Sequence, residues 1–232
     1  MRNEESNKQR METRRSTQLK RQVQLCKVFI CKVQDNKLNV SQSEKLKMMF
    51  VEAKWIYNNV LNRSKNGEDI FKISSTEYKS VSHFDKDGNE VISRVDNLTS
   101  QPKQSVLDQI KDNIKGLSAK KKNGYKNGTL KFKSEINSLN LKQYGRTYSL
   151  VGIDKVKLQG IKKPIKVNGL KQIHNLNKQG LTYELANAKL LNMADGYYIA
   201  ITVFISEKPT INKIDTIGVD FSFVSHSKIT GS

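Results

Sequence analysis

Asp195-Gly196-Tyr197-Tyr198-Ile199-Ala200-Ile201-Thr202-Val203-Phe204-Ile205 carries the clearest strand signal in the chain. Asp-Gly is a tight-turn dipeptide, and it precedes an alternating run. Tyr197, Ile199, Ile201, Val203 and Ile205 fall on one face, and Tyr198, Ala200, Thr202 and Phe204 on the other. Period two over nine residues is a β-strand. Upstream, from Leu130, the texture is the same: LKFKSEINSLNLKQY, YSLVGI, KVKLQGIKKPIKV, LTYEL and AKLLNM, separated by turn residues. Short strands at such spacing predict a small β-barrel. An earlier apolar run, VQLCKVFICKV at 23–33, is interrupted only by Gln24, Lys27 and Lys32. It reads as a further strand covered on both sides, which pairs into the same barrel across a long insertion.

The insertion reads as helical. Ser41-x-x-Glu44 is a capping box. After it Leu46, Met49, Phe50, Ala53, Ile56, Tyr57, Val60 and Leu61 recur at helical spacing, and Asn66-Gly67 closes the helix. Trp55 lies off that stripe. Packing against a neighbouring element is favoured for it, and stacking on a base or ribose is the alternative. A hairpin is expected around Asp87-Gly88-Asn89. A second helix follows, capped by Ser100 with Pro102 in its first turn and a stripe of Val106, Leu107, Ile110, Ile114 and Leu117. It ends in Lys120-Lys121-Lys122 before Asn123-Gly124.

Lys plus Arg is 41 and Asp plus Glu is 22 in 232 residues, a net charge of +19. Such an excess points to polyanions, with nucleic acid as the expected partner. Residues 1–22 have no apolar period and carry Arg2, Lys8, Arg10, Arg14, Arg15, Lys20 and Arg21, which predicts a disordered basic arm. Lys120, Lys121, Lys122, Lys126, Lys131 and Lys133, then Lys162, Lys163 and Lys166, interleave with Tyr125, Phe132, Tyr144, Tyr148 and Phe204. That is the pattern of a nucleic-acid surface, with lysines for phosphates and rings for bases. Lysines on outward barrel faces, or complementing a helix dipole, give the same pattern without a partner.

No apolar run approaches the ~20 residues of a membrane span, and the N-terminus lacks an apolar export signal, so a cytoplasmic location without membrane attachment is expected. Cys26 and Cys31 match neither a zinc knuckle nor a redox motif and read as small core residues. Neither a P-loop nor G-x-G-x-x-G occurs, and there is no Ser/His/Asp grouping. Ile217-Gly218-Val219-Asp220-Phe221-Ser222-Phe223 reads as a strand with one carboxylate, Asp220, opposite its apolar face. Such a group needs a metal, a basic side chain or a polar pocket, unless it faces water at a sheet edge.

The segments EAKWIYNNVLNR (52–63), LSAKKKNGYKNGTLKFKSEINSLNLKQYG (117–145), VKLQGIKKPIKVNGLKQI (156–173), ELANAKLLNMADGYYIAITVFI (184–205) and TIGVDFSF (216–223) occur in an order that resembles the N-terminal half of TnpB-like transposon-encoded RNA-guided DNA endonucleases. These are relatives of the compact type V CRISPR effectors. The resemblance implies an α+β architecture. An OB-like wedge β-barrel from 23–40 plus 130–212 is interrupted by a helical recognition insertion at 41–129. It ends at 213–232 in the first strand of a truncated RuvC (RNase H-like) nuclease domain. Asp220 then matches the first RuvC carboxylate and a ligand for Mg2+ or Mn2+. The partners implied are a guide RNA and a double-stranded DNA target. Ser222 departs from the glycine usual in the family. With one carboxylate of a several-carboxylate site, no tight metal binding and no cleavage by this chain alone are expected. A stand-alone RNA/DNA-binding regulator derived from such a nuclease, or a non-functional gene fragment, would share these features.

Overall fold

The structure is a computed structural model and describes residues 2–206 apart from 86 and 127. Its centre is an antiparallel seven-stranded sheet, curled into a nearly closed barrel. The strands are β1 (Gln24–Val33), β4 (Ser138–Leu141), β5 (Tyr148–Val151), β6 (Lys155–Leu158), β7 (Ile165–Asn168), β8 (Thr182–Met193) and β9 (Gly196–Ser206). They lie in the order β4-β8-β9-β1-β7-β6-β5. Between β1 and β4 the chain forms α2 (Val40–Lys65), a hairpin of β2 (Ser80–Phe84) and β3 (Glu90–Arg94), and α3 (Ser100–Lys122). The fold is therefore α+β.

The alternation of β9 sets the inside of the barrel. Ile199, Ile201, Val203 and Ile205 are all buried, while Tyr198, Thr202 and Phe204 face outward. β1 pairs with β9 from Gln24↔Ser206 to Lys32↔Tyr198 and meets β7 only at Lys32↔Asn168 and Val33↔Val167. Cys31 and Val33 are consequently buried, and burial pushes the Cys31 thiol up to about 11. The rest of β1 is not covered on both sides as its composition predicts. Cys26, Val28 and Ile30 are exposed because they lie on the outward face, opposite Cys31 and Val33, and Leu25 near the start of the strand is exposed too. The segments LTYEL and AKLLNM are one strand, β8, with a bulge between Leu185 and Ala188, and KVKLQGIKKPIKV is two, β6 and β7. Residues 131–133 lie outside any strand.

The stripe of α2 is its buried face. Leu46, Met49, Phe50, Ala53, Ile56, Tyr57, Val60 and Leu61 are all at most 5% exposed, and Phe50 stacks on Tyr197 of β9. The helix starts earlier than Ser41-x-x-Glu44 predicts. Asn39 is the cap: its side chain accepts from Gln42 N (2.8 Å), and the Gln42 side chain accepts from Asn39 N (3.0 Å). At α3 the flanking residue is Thr99 rather than Ser100. Its hydroxyl donates to Gln159 Oε1 instead of capping the helix.

Two further departures are helices. Residues Arg2–Gln22 form α1, where the charge pattern predicts a disordered arm. The segment contains no Gly or Pro, and its later half carries Arg14, Arg15, Lys20 and Arg21, which suit a helix C-terminus. Among the described residues, it is the last turn that supplies the anchoring contacts. Lys20 and Arg21 pair with Glu184, and Arg21 lies 3.8 Å over the Phe204 ring. The Lys20 hydrogen bond holds the Glu184 carboxyl below its ordinary range. The other is α4 (Lys171–Lys178), too short to display a stripe beyond Ile173 and Leu176.

One buried carboxylate joins the helices. Glu52 of α2 is 1% exposed. It accepts from the backbone N–H of Asp96 (3.2 Å), Asn97 (3.0 Å) and Leu98 (2.6 Å), and from Asn97 Nδ2 (2.7 Å). The loop entering α3 is thereby folded around a side chain of α2. Nearby, Lys103 donates to the carbonyls of Tyr78 and Val95, and its burial lowers its pKa.

Replacing Glu52 by Ala strips three backbone amides and one side-chain amide of their acceptor. The expected loss is about 3–4 kcal/mol, read from urea denaturation. Glu52→Gln keeps one carbonyl acceptor and is expected to lose about half as much. A loss under about 1 kcal/mol for the alanine variant would show that solvent replaces the carboxylate. The β8–β9 turn offers a second check. Gly196 has φ +124°, and a Cβ there would come within 2.2 Å of Asp35 Oδ2. Gly196→Ala is expected to destabilise by about 2 kcal/mol. Adding Asp35→Ala should recover the steric part only, and full recovery would dismiss the backbone strain.

Candidate nucleic-acid interface

The first half of α3 is buried against the core, and its last turn is exposed. Val106, Leu107 and Ile110 are buried, and Lys111 donates to the carbonyls of Phe71 and Ile73. Ile114 still packs against the core and the Lys115 ammonium lies 5.6 Å from the centre of the Phe71 ring, whereas residues 118–122 are all exposed. Lys120, Lys121 and Lys122 lie ten to twelve residues past Ile110, roughly 15–18 Å beyond the last buried turn. All three are exposed, as is Lys126 in the turn that follows. Their side chains make no ion pair among the described residues. The carbonyls at this helix end are partly met by Asn123 N, Gly124 N and Tyr125 N, so the ammonium groups are not required as caps.

Residues 130–134 then run back along α2. Asn58 fixes them with two hydrogen bonds: its Nδ2 donates to Lys133 O (2.9 Å), and its Oδ1 accepts from Lys133 N (2.8 Å). Lys131 is exposed and Phe132 is 50% exposed. Lys133 is half-buried, with its ammonium 4.4 Å over the Tyr57 ring, so part of its role is packing.

A second basic surface lies on the outside of β6 and β7. On β6, Lys155 and Lys157 point outward while Val156 and Leu158 are buried. On β7, Lys166 sits directly across from Lys155, and its ammonium is 3.4 Å from Asp154, which offsets the repulsion between the two lysines. Lys162 and Lys163 are exposed in the connection between these strands. The Lys163 carbonyl accepts from Gln42 Nε2 (3.1 Å), which docks this surface at the start of α2.

The nine lysines singled out in the sequence are thus not one cluster. Lys131 and Lys133 lie by Asn58, and Lys162, Lys163 and Lys166 near Gln42. Sixteen residues of α2 separate these anchors, about 24 Å. Tyr148, named as a stacking platform, is instead buried, with its hydroxyl donating to Ala186 O. Tyr144 packs edge-on against it at 5.4 Å and keeps 44% of its surface exposed. Phe204 is covered by Arg21.

Trp55 packs, as favoured, but its partner was not foreseen. Its indole lies flat on the imidazole of His83, with centroids 4.0 Å apart and planes 9° from parallel. His83 Nε2 is 2.9 Å from Ser93 Oγ across the hairpin. A cleft of about 560 Å³ opens here, between α2, the hairpin and residues 132–134, with Phe84 and Phe132 on its walls. The turn residues at 87–89 signalled the hairpin, whereas no local signal announces that it docks on α2.

Asp220 lies outside the described residues, together with the whole of 213–232. Among the described residues no three His, Cys, Asp or Glu side chains come together as a metal site, and no helix is long and apolar enough to cross a membrane. The sequence matches no protein-family model, and a search of curated proteins returns no match.

Proposed function

We propose that this chain is the nucleic-acid-binding N-terminal part of a TnpB-like RNA-guided DNA endonuclease. In this reading the seven-stranded barrel is the OB-like wedge, and residues 41–129 are the recognition insertion. Together they hold a folded guide RNA and a double-stranded DNA target. Asp220 supplies the first ligand for Mg2+ or Mn2+ in the nuclease domain. One observation carries the reading: lysines that the fold does not use. Lys120, Lys121, Lys122, Lys126, Lys131, Lys162 and Lys163 are exposed and make no ion pair among the described residues. Lys32, Lys103, Lys111, Lys142 and Lys166 each have a structural partner in a carboxylate or a carbonyl. Two basic surfaces flank α2, and a sheet whose outward faces carry lysines is one known platform for nucleic acid.

The test uses electrophoretic shifts over a series of salt concentrations. The probes are RNA transcribed from the 3′ flank of the chain's own gene, a scrambled RNA of the same length, and duplex DNA. Log affinity is expected to fall linearly with log salt, because each neutralised phosphate releases counterion. The flanking RNA should bind more tightly than the other two. Equal affinity for native and scrambled RNA would reduce the chain to a generic polycation and overturn the guide-RNA reading. Replacing Lys120, Lys121 and Lys122 together with Gln is expected to lower the salt slope by about two to three. The unfolding midpoint should not move, since no core side chain is touched. An unchanged slope would remove the end of α3 from the interface.

A further inference from the structure

The cleft between α2, the β2–β3 hairpin and residues 132–134 combines features that folding alone does not explain. Phe84 is 70% exposed and Phe132 50% exposed, although both are large apolar rings. They face a space already walled by the Trp55–His83 stack. The rim is cationic. Lys54 and Lys133 line it, and the Lys65 ammonium lies 4.0 Å over the Phe132 ring. Lys131 is exposed one residue before Phe132. The acidic group on the wall, Glu90, already accepts a hydrogen bond from Ser82 Oγ. The amide of Asn62 is also on the wall and makes no side-chain hydrogen bond among the described residues.

Flat apolar walls select a flat aromatic guest, and the surrounding ammonium groups select one with anionic tethers. An acidic peptide would satisfy the lysines but leave the rings exposed. An uncharged apolar ligand would fill the space but leave the lysines unused. A nucleotide meets both demands, and Asn62 offers a donor and an acceptor to a base edge. Duplex DNA keeps its bases inside the stack, whereas folded RNA presents unpaired bases in loops and bulges. We infer that this cleft holds one unpaired nucleobase of a bound RNA, stacked against the ring wall, with its flanking phosphates on Lys54, Lys65 and Lys133. The inference rests on the nucleic-acid-binding reading and adds to it a specific subsite.

Trp55 is the only tryptophan of the chain, so its emission reports on this cleft alone. The full chain is titrated with a short unstructured RNA, with DNA of the same sequence, and with an abasic ribose-phosphate polymer of equal length. Gel shifts are run in parallel to measure binding independently. Saturable quenching of Trp55 is expected with RNA, along with binding but no quenching with the abasic polymer. Phe84→Ala with Phe132→Ala should raise the RNA concentration needed for half-quenching about tenfold and leave the salt slope unchanged. Both side chains are at least half exposed, and an unchanged unfolding midpoint confirms that the variant is folded. Binding of RNA in the gel with no change in Trp55 emission would overturn the subsite and leave the nucleic-acid-binding reading standing. Absence of RNA binding in the gel would overturn both. Equal quenching by the abasic polymer would overturn base stacking, and tighter quenching by DNA would overturn the assignment to RNA.

Discussion

The pairing of β1 with β9 is the constraint on which the rest of the structure depends. β4, β8 and β9 make one part of the sheet and β5, β6 and β7 another, and in the strand order only β1 lies between them. Residues 24–33 must therefore find residues 196–206 across some 170 residues of chain before the barrel exists. Such non-local pairing is slow to form. The register is nonetheless strongly specified. A slip of one residue would bring Lys32 inside in place of Cys31 and Val33. The same topology explains the weak point. β1 is ten residues long and β7 four, so β7 pairs with β1 only at Lys32 and Val33, and the outward-facing Val28 and Ile30 lie beside the stretch it does not reach.

Once the barrel closes, the helices have a surface to dock on, and polar groups decide how they dock. Phe50 on Tyr197 sets α2 against β9. Glu52 then fixes the start of α3 by collecting the amides of residues 96–98. Burying a carboxylate is costly unless its hydrogen-bonding capacity is used, and here four donors use it. Because these bonds hold the near end of α3, the far end can project from the core. The position of Lys120, Lys121 and Lys122 thus follows from a side chain nearly seventy residues earlier.

What the sequence revealed tracks where local pattern and tertiary structure agree. The buried face of α2 could be named residue by residue because eight apolar side chains repeat at helical spacing. β9 and the hairpin at 80–94 were legible for the same reason, the second through its turn residues. α1 was missed because a helix exposed along most of its length has no stripe to display. α4 was missed because two turns give too few apolar positions. The broken reading of β8 came from its bulge, which shifts the alternation between Leu185 and Ala188. The lysines of the candidate interface were visible as charge, but not which of them the fold consumes. Lys133 and Lys166 turn out to be partly structural, through Tyr57 and Asp154. Trp55 was marked by its place off the stripe, whereas His83, Phe84 and the cleft arise only when the hairpin meets α2.

The spacing of the two basic surfaces bears on what kind of anion they suit. They are about 24 Å apart along α2. At physiological ionic strength exposed charges are screened beyond about 8 Å. Neither surface therefore strengthens the field of the other appreciably, and a small anion would gain nothing from the second. Only a polymer long enough to touch both collects the two contributions, and it does so by adding contacts rather than by meeting one concentrated field. The aromatic cleft opens beside α2 near Asn58, next to one of the two surfaces. A chain of phosphates crossing from one surface to the other can therefore carry an unpaired base to it, whereas a rigid duplex lying over both would pass above it with its bases turned inward.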